Sequence, residues 1–111
     1  MSLNIIIQTI PHNKQRYETV GDWQFRDGTL YITVSSLNDW HKELPIAIHE
    51  IIEAFLCKDR SISEESVDRF DMNWDTNLLS KIFKEPGDDP EAPYYREHFF
   101  ATSIERLLVA E

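Results

Sequence analysis

The residues best suited to chemistry lie within one helical turn: His49 and Glu53, with Glu50 directly after the histidine, in the run His49-Glu50-Ile51-Ile52-Glu53. Residues four apart share a helix face, so His49 and Glu53 form a two-pronged ligand pair for a divalent metal. Glu50 projects roughly 100° further round the helix. Imidazole and carboxylate are both zinc donors. A third donor is expected at His98, in Tyr95-Arg96-Glu97-His98-Phe99-Phe100-Ala101. His49, Glu53 and His98 would give two imidazoles and one carboxylate with a position left for water, which is the ligand composition of a catalytic zinc site. Glu97 is a rival ligand, or a carboxylate that orients a ligating histidine from behind. Tyr94 or Tyr95 could stabilise an oxyanion beside the metal. The plainer reading is a solvated His/Glu pair, an inward histidine bonded to backbone and two tyrosines packed in a core. His12 and His41 carry no spacing signal and read as surface residues. Cys57 reads as a small helix-packing residue.

Two ligands one turn apart, with a glutamate directly after the first, resemble the active-site helix of zincin-like metallopeptidases. Glu53 stands where that motif has its second histidine, so the histidine and carboxylate positions are permuted. The resemblance covers about ten residues and implies zinc held by His49, Glu53 and His98. It also implies Glu50 as general base toward a metal-activated water, and a peptide or protein substrate. A second constellation is Glu50-x-x-Glu53 with Asp68-x-x-Asp71. Four carboxylates on antiparallel helices suit magnesium, and the set is similar to the cluster of all-α nucleotide pyrophosphohydrolases of the MazG type. That family carries glutamate where Asp68 stands, and an N-terminal hairpin does not suit an all-α bundle. A third reading is a non-enzymatic acidic interaction or inhibitor protein.

The elements that must position these residues follow from periodicity. Residues 3–10, 17–26 and 29–36 read as strands. The last two flank Asp27-Gly28, a strong hairpin signal because both turn positions need positive φ. From Leu44 the pattern becomes helical: Leu44, Ala47, Ile48, Ile51, Ile52 and Phe55 form one apolar stripe. This predicts a helix over about 39–58, capped by Asn38 or Asp39, with its core face near Ile48, Ile51 and Phe55. His49 and Glu53 fall off that face, where a second helix or a ligand could approach. Ser61-Ile62-Ser63-Glu64 has capping-box spacing and opens a helix to about Met72. A short helix fits 76–84 and a last one 94–109. Between them, Glu85 to Pro93 contains three prolines and a glycine, so it reads as a solvated, proline-stiffened connector. Strands first and helices after predict an α+β fold: a three-stranded antiparallel sheet with a hairpin, then three to four helices packed on one face, in one domain over 1–111.

Composition sets outer limits. The chain carries net charge −9 and 41% hydrophobic residues. Phosphate neutralisation needs basic surface, so nucleic-acid binding is not expected. A lone cysteine permits no internal disulfide, which suits a reducing compartment. No apolar run approaches the ~20 residues of a membrane span, so the expected address is cytoplasmic. Substrate and oligomeric state are not legible at this stage.

Overall fold

The hairpin expected at Asp27-Gly28 forms in the computed structural model, which describes residues 2–111. Asp27 and Gly28 have φ values of 51° and 79°. Arg26 pairs with Thr29 directly across the turn. Strand β2 (Gly21–Arg26) therefore runs antiparallel to β3 (Thr29–Ser35). Alternation then decides the faces. Leu30, Ile32 and Val34 are buried, whereas Tyr31 on the opposite face is largely exposed.

The α+β class holds, but the sheet is mixed rather than antiparallel. Strand β1 (Asn4–Ile10) pairs with β3 in parallel, and the order across the sheet is β1-β3-β2. The reason lies in the connection. Residues 11–20, with a 3-10 turn at His12–Lys14, reverse the chain direction but step past one strand position. β3 then fills the gap between β1 and β2. Gln15 Nε2 bonds Ser35 Oγ, and Ser35 N donates to the Val20 carbonyl, which pins the connection against the end of β3. β2 is shorter than expected because residues 17–20 belong to this connection.

Helix α1 (Trp40–Asp59) is capped by Asp39, whose side chain accepts from His41 N, and continues through Pro45. It packs on β2 and β3. The face it buries only partly coincides with the apolar stripe. Phe55 is 62% exposed and Leu44 is also exposed, while Ala47, His49, Glu50, Glu53, Ala54 and Cys57 are buried. Small residues let α1 approach the sheet closely, and the polar ones are buried because they satisfy one another. Helix α2 (Glu64–Asn73) starts later than expected, capped by Ser63 rather than Ser61. Helix α3 is the single turn Thr76–Leu79. Helix α4 (Tyr95–Ala110) packs on α1, not on the sheet, so the helices do not all cover one sheet face. Among the described residues, no helix is long and apolar enough to cross a membrane.

The left-handed turn generates a direct test. A β-carbon at Gly28 meets no neighbour, but φ of 79° disfavours any L side chain. Gly28→Ala should therefore lower unfolding stability by about 1 kcal/mol in urea denaturation. An unchanged midpoint would show that the turn does not hold the hairpin.

Candidate metal centre

The flank of α1 that carries His49 and Glu53 faces α4, and His98, at the end of the first turn of α4, completes the meeting. The Glu53 carboxylate is the shared point. Its Oε2 lies 3.1 Å from His49 Nε2 and 2.9 Å from His98 Nδ1. One donor atom from each of the three residues falls within 4.8 Å of the others. All three are buried, at 4%, 5% and 4% exposure for His49, Glu53 and His98. Zinc bonds of about 2.1 Å in a tetrahedron place ligand atoms roughly 3.4 Å apart. The two contacts to Glu53, at 3.1 and 2.9 Å, lie within about half an ångström of that spacing.

Each of the three side chains is held from behind. Trp23 Nε1–H donates to the other Glu53 oxygen at 3.1 Å. His98 Nε2 faces Glu85 Oε1 at 2.8 Å and Asp88 Oδ1 at 3.2 Å. His49 Nδ1 lies 2.9 Å from Glu105 Oε1, although the alignment is too poor for a hydrogen bond. In a metal-loaded site, a carboxylate behind an imidazole would hold the proton on one nitrogen while the other, having lost its proton, ligates. Gly87 closes over the His98 ring so tightly that a β-carbon there would sit 2.4 Å from the ring's Cγ. The segment expected to be a solvated connector instead packs onto His98 through a 3-10 turn at Pro86–Asp88.

The electrostatics follow from this packing. Burial works against a charged His98, but hydrogen bonds to Glu53 and Glu85 outweigh it and bring its pKa up to about 10. Burial likewise opposes a charged His49, and the Glu105 and Glu53 carboxylates overcome it, to about 11. Glu53 is buried, which favours its neutral form, yet its two histidine partners pull it down to about 2. Glu50 is pushed well above the usual carboxylate range, first by burial and then by the charge of Glu53. It lines a cavity of about 330 Å³ together with Glu53 and His98. Gly21 makes room for it, since a β-carbon there would come within 2.9 Å of Glu50 Cγ.

Other expected candidates go elsewhere. The Glu97 carboxylate accepts from Arg60 at 2.8 Å, so it neither ligates nor supports His98. Tyr94 is buried and donates to Asp71, and Tyr95 packs at the core edge. The four-carboxylate arrangement of Glu50, Glu53, Asp68 and Asp71 is not brought together: Arg16 takes Asp68, and Tyr17 and Tyr94 take Asp71. His12 and His41 are exposed, and Cys57 is in the core. Trp23, Glu85, Gly87, Asp88 and Glu105 escaped the sequence reading. Only Glu105 left a trace, lying two helical turns beyond His98 on the same face. Comparison with known protein families, curated proteins and solved structures finds no match.

Two outcomes are expected here. In the metal-free chain, the raised histidine pKa values add stability that is complete below about pH 6.5. That stability is lost as pH rises through about 10 and 11. The lowered Glu53 value adds stability that is complete above its ordinary value of 4.5 and lost as pH falls through about 2. Chemical denaturation in chelator should therefore give lower stability at about pH 9 than at about pH 6; a flat or rising profile contradicts the network. Gly87→Ala should displace His98 and cost about 1–3 kcal/mol, read in the same assay.

Proposed function

We propose that this chain is a zincin-like, zinc-dependent hydrolase that acts on peptide bonds. One observation carries the reading: His49, Glu53 and His98 converge from two helices, with Trp23 holding Glu53, Glu85 and Asp88 behind His98, and Glu105 close to His49. The set of two imidazoles and one carboxylate favours zinc over magnesium, which prefers all-oxygen surroundings. A zinc ion held there would supply Lewis acidity and a water made acidic enough to attack near neutral pH. Glu50 has its carboxylate 3.8 Å from His49 Nε2 and faces the cavity, so it is placed to take the proton from the attacking water. From there it could pass that proton on to the leaving amine. Tyr94, committed to Asp71, is not free to serve as the oxyanion donor in this arrangement.

A non-enzymatic interaction role has its own support in the exposed isoleucines 5, 6 and 7 of edge strand β1 and the exposed Leu107 and Val109 at the end of α4. Unpaired apolar edges of this kind favour partners.

Zinc analysis of untagged protein separates these readings. About one zinc per chain is expected, with a rise in melting temperature on zinc addition to the chelated form. His98→Ala should lose both. Glu50→Gln should keep the zinc and lose hydrolysis of a mixed peptide pool by two or more orders of magnitude, on the order expected for loss of a general base. A chain that binds no zinc in either assay is not a zinc hydrolase.

A further inference from the structure

The cavity beside the metal centre continues away from it to a second, half-buried acid, Asp71 on α2. Its two oxygens accept from two phenols: Tyr17 Oη at 3.0 Å and Tyr94 Oη at 2.5 Å. Phenols satisfy hydrogen bonding but do not neutralise a charge. Among the described residues, no basic side chain forms an ion pair with Asp71. Arg16 is spent on Asp22 and Asp68, Arg26 on Glu64, Arg60 on Glu97 and Arg69 on Glu65. Burial accordingly pushes the Asp71 carboxyl up to about 7.

Glu50 faces the same space. It is 8% exposed, and among the described residues its one ionic neighbour within 4.0 Å is His49, at 3.8 Å. Lys84, on the cavity lining, is itself exposed to solvent. The rest of the wall is mixed, but it brings Trp23 and Trp74 beside the two tyrosines, so four aromatic rings face the space. A half-buried carboxylate without an ion-pair partner, with aromatic rings nearby, is an environment that stabilises an organic cation through ion pairing and cation–π attraction. The volume of about 330 Å³ lies at the small end of ligand cavities, enough for one side chain or chain end.

We propose that this cavity is a subsite for an alkylammonium group of the substrate, either a lysine side chain or a free amino terminus, with Asp71 as its counter-ion and Tyr17 and Tyr94 holding that carboxylate in place. The proposal deepens the hydrolase reading by naming the substrate class, yet its binding step needs no metal. Placing the ammonium at Asp71 would set the adjoining peptide group toward Glu50, Glu53 and His98, which line the other part of the same cavity.

The test uses three small probes and the full-length chain, followed by NMR titration at about pH 7.5, where both kinds of amine remain at least half protonated. Acetyl-lysine amide carries only a side-chain ammonium, norleucine amide only an α-ammonium, and acetyl-norleucine amide neither. At least one ammonium probe should bind about tenfold more tightly than the neutral one, shifting Trp74 and Tyr17 signals, and which one does so identifies the source. Asp71→Asn, nearly isosteric and able to accept from one phenol through its oxygen and donate to the other's oxygen through its NH2, should abolish the preference while retaining zinc binding. Equal binding of all three probes to the unaltered chain overturns the proposal, as does no binding, or a preference that survives in Asp71→Asn. Should the unaltered chain prefer an ammonium but bind no zinc, the subsite stands and the hydrolase reading falls.

Discussion

The structure depends on one carboxylate. Glu53 is buried between two imidazoles and an indole N–H, and it joins three separate parts of the chain: β2 through Trp23, α1 through His49 and α4 through His98. A charge removed from water is tolerated only where it is paired and fully hydrogen-bonded. The partners must therefore arrive together. Removing a histidine would leave buried charge under-compensated, at a typical cost of about 3–5 kcal/mol, and removing the indole would leave one carboxylate oxygen without its donor. The packing of α4 onto α1 rather than onto the sheet is the geometric consequence, because His98 has to reach across from α4.

From that point outward the protein is built as successive layers of support. Glu85 and Asp88 stand behind His98, and Glu105 stands behind His49. Gly87 lets the backbone close directly over the imidazole, where any side chain would collide. Asp89, one residue beyond the 3-10 turn, accepts from Trp74 Nε1 and so ties the same loop to the end of α2. This arrangement accounts for the many acids of a chain with net charge −9. A large share of them are committed to internal partners rather than spread over a solvated surface. It also explains why the apolar stripe of α1 lies partly exposed: the flank nearest α4 is occupied by polar groups that need burial more.

The fold was legible where the controlling interactions are local. Asp27-Gly28 dictates its hairpin through backbone conformation alone, and Leu30, Ile32 and Val34 reveal their buried face through alternation. The helix of His49 and Glu53 follows from periodicity and the Asp39 cap. The parallel pairing of β1 with β3 was not legible, since it depends on how far a ten-residue connection steps sideways. The inward face of α1 was misread for a related reason. Hydrophobic periodicity assumes that burial follows apolarity, and here mutual satisfaction of polar groups overrides it.

By itself, the sequence determined which residues have ligand chemistry and that two of them share a helix face, because a 3.6-residue period fixes that relation without reference to the rest of the chain. It also offered His98 as the third donor. Only the tertiary structure decided that His98 meets Glu53 at 2.9 Å, that Glu97 turns to Arg60, and that Asp68 and Asp71 are diverted to Arg16 and the tyrosines. Those outcomes depend on competition among acids and bases far apart in sequence. Such competition is settled by which groups packing forces out of water together, a quantity with no signature in local spacing.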